Sequence, residues 1–245
     1  MASPVDLPQR LTRVRPELWA ALGCSALLLI YGNATSSFPH DMRERFLLWS
    51  NMALMAALLA WAVTLARLTV HEMGLGLRSA PGSAAFGGML SVVAAVPPVA
   101  FFALAPLFNG GPVEASGITE RSGAEMALFL LFRQPVGTAL FEEVAFRGVL
   151  YGLWRRAGGD RAALLATSGV FSLWHVVITS RTVAESGVVS GPPAVALGVT
   201  VSLAGLFVGG LIFAYLRWHT GSIAAAVVAH WLIVASMTVA IWATG

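Results

Sequence analysis

Apolar residues in this chain run in blocks about 20 long, and polar residues gather in the short gaps between them. Crossing the hydrocarbon core of a bilayer takes about 20 mostly apolar residues, so each block reads as one membrane-spanning helix. The blocks fall at 17–35, 46–66, 83–106, 161–179, 192–216 and 221–243. Pro97-Pro98 predicts a kink in the third. Residues 122–156 are also apolar but are interrupted by Arg133-Gln134-Pro135. They read as a lead-in helix followed by a new helix with Pro135 in its first turn, where the missing N–H costs little. The pattern predicts an all-α, polytopic transmembrane helical bundle of about seven spans, with a range of six to eight. A polar arm, residues 1–16, precedes a single transmembrane domain, 17–245. No internal repeat or low-complexity region is evident.

Composition agrees with that pattern. The 245 residues are 57% hydrophobic and 11% charged, against roughly one quarter charged in a soluble domain. The pI near 9.7 does not signal nucleic-acid binding, because the arginines sit in short loops between apolar blocks. Alternating spans put the arm, 67–81, 155–161 and 217–220 on one side, together with Arg67, Arg78, Arg155, Arg156, Arg161 and Arg217. By the positive-inside rule that side, and with it the N-terminus, is cytoplasmic. The absence of lysine and the abundance of Ala, Gly and Val point to a GC-rich bacterial genome, hence a bacterial cytoplasmic membrane. A single cysteine, Cys24, excludes an intramolecular disulfide and a cysteine-rich metal site. Gly198, Ser202, Gly205 and Gly209 give the sixth block a small-residue stripe, which close helix packing explains.

Against this background Glu142-Glu143-Val144-Ala145-Phe146-Arg147-Gly148 stands out. It puts two carboxylates and a guanidinium inside a span, where each costs at least about 2.5–3.5 kcal/mol on insertion scales. Measured from the expected cytoplasmic side, Glu142, His175 and His230 lie roughly 18, 21 and 14 Å deep at 1.5 Å per residue. Three separate spans thus carry ionisable groups at similar depth. Glu143 and Arg147 are four apart and can pair along one face, leaving Glu142 the freer carboxylate. Phe171 and His175 are also four apart, so the phenyl ring can orient the imidazole. A glutamate and a histidine facing one water could activate it against a peptide carbonyl, and His230 could bind the developing oxyanion. Taken singly, a Glu–Arg pair is often a structural lock and a membrane histidine often helix glue. The joint occurrence favours function. His40, His71 and His219 fall in loops or at span ends and read as solvated.

These residues resemble the CAAX-processing and bacteriocin-processing intramembrane endopeptidases, the CPBP or Abi family. That family's pattern is E-E-x-x-x-R, then F-x-x-x-H, then H-x-x-x-N or H-x-x-x-D. The first two elements stand here as Glu142-Glu143-Val144-Ala145-Phe146-Arg147 and Phe171-Ser172-Leu173-Trp174-His175. The third stands as His230-Trp231-Leu232-Ile233-Val234, with Val234 in place of Asn or Asp. Thr220-Gly221-Ser222-Ile223 and Gly74-Leu75-Gly76-Leu77-Arg78 add to a resemblance over about 70–245, with the protease-like core at about 122–245. It implies an intramembrane endopeptidase acting on a membrane-associated protein or peptide. Glu142 and His175 would activate water, His230 would hold the oxyanion, and Glu143, Arg147 and Phe171 would shape the site. A glutamate-type mechanism requires no cofactor; the metal-dependent alternative is a zinc held by Glu142, His175 and His230. Val234 motivates the competing reading, a non-catalytic scaffold or bacteriocin self-immunity protein on the same fold.

Overall fold

The computed structural model describes residues 16–109, 111, 113, 115 and 117–244. Of the expected polar arm only Pro16 is among them, and Arg10, Arg13 and Arg15 lie outside. The chain forms α1 (Pro16–Ser36), α2 (His40–Thr64), α3 (Ala80–Ala94), α4 (Val96–Asn109), α5 (Gly123–Leu128), α6 (Phe141–Glu143), α7 (Tyr151–Trp174), α8 (Val176–Glu185), α9 (Pro192–Thr220) and α10 (Ala224–Thr244). Three π-helical stretches, Phe129–Arg133, Pro135–Leu140 and Val144–Leu150, join α5 through α7. No strand occurs among the described residues.

Among the described residues five helices are each long and apolar enough to cross a membrane, with α3 and α4 counted as one kinked span, Ala80–Leu107. The run Gly123–Trp174 with α8, bent by 47°, makes a sixth. That run folds back on itself. Phe146 and Phe171 have ring centroids 5.2 Å apart, whereas 25 residues of straight helix would separate them by about 37 Å. The reversal is at Gly159, whose φ of 80° and ψ of −176° leave the helix. An L side chain rarely adopts that conformation and glycine does so freely. The Arg155–Asp160 ion pair at 2.8 Å and the Tyr151 hydroxyl, which donates to Asp160 at 3.4 Å, fasten the turn. With 123–158 and 160–185 taken as two arms, seven rods form the bundle. The protein is an integral membrane protein, and large apolar side chains such as Ile30, Leu107, Leu131 and Val201 lie exposed on its outer surface.

Two features depart from the sequence expectation. Arg133-Gln134-Pro135 does not separate two helices; the rod is continuous from Gly123 through the motif. Pro135 has no N–H to offer, and in the i→i−5 pattern of a π-helix its partner would be the Leu130 carbonyl. That carbonyl instead accepts the Trp231 indole N–H of α10 at 2.7 Å, so no backbone group is orphaned. His175, expected in mid-span, sits at the joint between α7 and α8 with φ −92° and ψ 3°.

Each end of the bundle is tied by arginine. At one end Arg156 grips Glu72 through Nε and an Nη, both at 2.6 Å, and donates to the carbonyls of Ala66 and Arg67. There Arg217 donates to the Glu72 carbonyl at 2.8 Å, and Ile223 N–H donates to the Gly74 carbonyl at 3.0 Å. Gly74 has φ +67°, and a Cβ on it would run into the Arg217 side chain. Loops 67–79, 155–160 and 217–223 therefore share one end, as alternating spans require. At the other end Glu44 takes Arg121 at 2.8 Å and also Arg133, while Arg181 donates to the Ser36 carbonyl at 2.9 Å.

Candidate active site

The first motif occupies α6 and the π-helical stretch after it, and every residue from Phe141 to Leu150 is buried. Glu143 is the hub. Its Oε1 accepts from Arg147 at 3.0 Å and from His230 Nδ1 at 2.8 Å. Both Glu143 and Arg147 have no exposed surface. Stripping one partner from such a buried pair would leave an uncompensated charge. Arg147 also donates to the Gly210 carbonyl of α9 at 3.1 Å. Its guanidinium lies over Phe171 at 4.4 Å, with Phe213 at 5.2 Å and Phe146 at 5.8 Å, a desolvated cation–π environment.

Glu142 is placed differently. Its Oε2 is buried and has no hydrogen-bond partner among the described residues. It lies 4.0 Å from His175 Nε2 and 4.0 Å from His230 Nε2. Both imidazoles are held from behind. A carbonyl or an ionised carboxylate only accepts, so each Nδ1 carries the proton in its bond, to the Phe171 carbonyl at 2.8 Å and to Glu143. Nε2 of each ring is thereby turned to Glu142. Phe171 sets His175 edge-on with centroids 4.7 Å apart, and Phe213 stacks on His230 at 4.9 Å and 16°. The residues singled out in the sequence, Glu142, Glu143, Arg147, Phe171, His175 and His230, thus form one cluster drawn from three elements of the bundle. His40, His71 and His219 are exposed.

Residues 124–236 match the family model described as type II CAAX prenyl endopeptidase Rce1-like. Over those residues the chain is similar to the CAAX proteases. No curated protein and no solved structure matches it. The Rce1-like segment starts one residue after α5 begins and ends within α10, so it takes in the whole cluster. It is narrower than the 70–245 over which the resemblance was drawn.

The spacing bears on what the Rce1-like site can hold. Glu, His and His are suitable zinc ligands, and imidazoles backed by a carbonyl and a carboxylate are common in zinc sites. A zinc about 2.05 Å from two atoms 4.0 Å apart would need an angle of about 150° between them, far from tetrahedral. No group of three His, Cys, Asp or Glu residues among the described residues has metal-ligand spacing. An oxygen about 2.8 Å from both atoms would subtend about 90°, which suits a hydrogen-bonded water. The donor types fit zinc and the distances do not.

Three site residues were not foreseen. Phe213 and Gly210 sit on α9, where one of two phenylalanines and one glycine beyond the small-residue stripe carry no signal by themselves. A Cβ on Gly210 would come within 3.1 Å of Ser168, so this glycine lets α9 approach the arm that carries His175. Gln134 is buried and donates to the Thr238 hydroxyl at 3.2 Å, a second polar tie between the motif rod and α10. Asn51, a conceivable substitute for the missing polar residue at 234, is committed elsewhere. It donates to the Gly137 carbonyl at 2.8 Å and accepts from the Tyr31 hydroxyl at 2.7 Å.

Proposed function

We propose that this protein is an intramembrane endopeptidase that hydrolyses a peptide bond of a membrane-associated protein or peptide with a water activated by Glu142 and His175. The observation that carries the reading is the equal 4.0 Å spacing of Glu142 Oε2 from His175 Nε2 and His230 Nε2. One water oxygen can hydrogen-bond to Glu142 and His175 together. Glu142 takes a proton from that water as its oxygen bonds to the scissile carbonyl carbon. His175, whose Nδ1 is committed to the Phe171 carbonyl, offers its Nε2 lone pair to the second water proton and fixes the direction of attack. His230 has a carboxylate behind it, so a proton on its Nε2 makes a charge-assisted donor for the oxyanion. Collapse of the tetrahedral intermediate breaks the C–N bond, and Glu142 passes its proton to the leaving amine. Glu143 and Arg147 position His230 and do not touch the substrate. With one imidazole protonated, two carboxylates, a guanidinium and an imidazolium sum to zero charge, which suits a site inside a membrane. On this reading no metal is needed, the membrane is a bacterial cytoplasmic membrane, and the N-terminus faces the cytoplasm.

The test is terminal peptide profiling of host membranes that express wild type or Glu142→Gln at equal level. Peptide ends found only with wild type are the expected result and would name the substrates. Identical profiles from two folded proteins would favour the second reading, a non-catalytic scaffold or self-immunity protein. The specific observation behind that reading is Val234, which brings no polar group to the position where the family pattern has Asn or Asp.

A further inference from the structure

At the Glu44 end of the bundle, a cavity of about 190 Å³ lies between the first turns of α2 and the stretch 129–138. Its lining combines the polar side chains of His40, Arg43, Glu44 and Arg133 with the apolar ones of Leu47, Leu48 and Phe129. The single carboxylate is over-subscribed, because Glu44 already pairs with both Arg121 and Arg133. Arg43 has no ion pair within 4 Å among the described residues, and its Nε is buried without a hydrogen-bond partner. Its other charged neighbours, Arg181 and Glu185 of α8, act on it in opposite directions. Two guanidiniums, Arg43 and Arg133, and one carboxylate, Glu44, line the cavity, an excess of one positive charge.

The surroundings place this cavity at a lipid-water boundary. α2, 25 residues long, passes there from a polar first turn into its apolar length, and close in sequence to the lining Phe46 is 61%, Trp49 71% and Phe132 50% exposed. Exposed aromatic residues at a helix end are characteristic of the membrane interface. A ligand that suits this lining joins an anionic group to apolar chains. We propose that this cavity binds the headgroup phosphodiester of an anionic phospholipid, with Arg43 and Arg133 on the phosphate oxygens and the acyl chains leaving along Leu47, Leu48 and the lipid-facing aromatics. Basic pockets between transmembrane helices recognise headgroups through the same chemistry. The proposal is independent of the protease reading and concerns no residue assigned to that site.

The experiment is a thermal-unfolding titration of the purified full-length chain in neutral detergent. The additives are dioleoyl phosphatidylglycerol, dioleoyl phosphatidylcholine at the same mole fraction, and inorganic phosphate. Phosphatidylglycerol is expected to raise the melting temperature of wild type well above the phosphatidylcholine value. Arg43→Gln should weaken the phosphatidylglycerol effect about fivefold, the worth of one interfacial arginine. Leu48→Trp, which fills the cavity and keeps every charge, should abolish it and carries the test if Arg43→Gln does not fold. Arg78→Gln, in the loop at the opposite end, should keep the full effect. Equal stabilisation by the two lipids would overturn the proposal, as would a full phosphatidylglycerol effect in Leu48→Trp. A phosphate effect as large as that of phosphatidylglycerol would overturn the lipid assignment in favour of a free-anion site.

Discussion

Two polar clusters in this protein are made from nearly the same parts, and they differ in what is left over. At the Glu72 end, Arg156 saturates the carboxylate with two bonds, Thr69 adds its N–H and hydroxyl at 2.8 Å each, and the remaining arginine donors go to backbone carbonyls. Inside the bundle, Glu143 and Arg147 make a similar lock, but the adjacent Glu142 points an oxygen with no hydrogen-bond partner at two imidazoles. At the Glu72 end both carboxylate oxygens are taken by donors. In the buried cluster one oxygen of each glutamate is left without a donor, and that of Glu142 lies 4.0 Å from both imidazoles.

The sharpest way to break this contrast is to attack the buried lock. Arg147→Met should destabilise the protein by about 3–5 kcal/mol in an unfolding titration, because Glu143 would keep a buried charge with one partner fewer. Adding Glu143→Leu should recover much of that loss while lowering activity, since His230 would then lose its carboxylate. If Arg147→Met unfolds like wild type, the pair is not the lock described here. Next in size is Glu142→Gln, expected to lower peptide turnover by a factor of about 10²–10⁴. Its melting temperature should move little, because Oε2 has no hydrogen bond to lose. A large fall in stability would place Glu142 with the structural cluster instead.

Smaller effects sharpen the comparison. Val234→Asn should leave the fold intact and raise turnover by up to about tenfold, if a further polar group strengthens oxyanion binding beyond His230. Unchanged turnover would mean that the network is complete without it. The smallest effect belongs to the open end. The Arg156 hydrogen bonds hold the Glu72 carboxyl down at about 2, below the usual value of 4.5. A depressed carboxylate stabilises the folded state above its unfolded pKa, and that contribution fades as pH falls from about 5 towards 2. Arg156→Gln should therefore cost under about 1 kcal/mol at pH 7, since the pair is part-exposed, and should flatten the stability curve between pH 5 and 2. A wild-type curve already flat over that range would contradict the pairing.

Most of the candidate site was legible because charge inside an apolar block is rare and helical spacing converts directly into facing. Glu143 and Arg147 four residues apart, and Phe171 and His175 four apart, pair as the spacing required. The loops sorted onto two ends because spans must alternate. Less legible were features that depend on a neighbour. Pro135 looked like a helix start because a proline N–H is missing from any local pattern; only Trp231, about a hundred residues on, supplies the substitute donor. Phe213 and Gly210 gave no sign for the same reason: stacking on His230 and a carbonyl presented to Arg147 are properties of a tertiary approach between α9 and the motif rod. The break at His175 lies in a stretch whose residues read as unbroken helix.

The sharing of Glu143 between Arg147 and His230 also has a bearing on how the molecule comes into being. Glu142, Glu143, Arg147 and His175 all precede α10 in the chain, and His230 comes on α10. During synthesis the first four enter the membrane while Glu143 still lacks one of its two partners. The network around Glu143 is incomplete until α10 has inserted, and the same event that gives Glu143 its second partner brings in the second imidazole. The order of the chain thus leaves the charge on Glu143 half-compensated through most of synthesis and closes its network last.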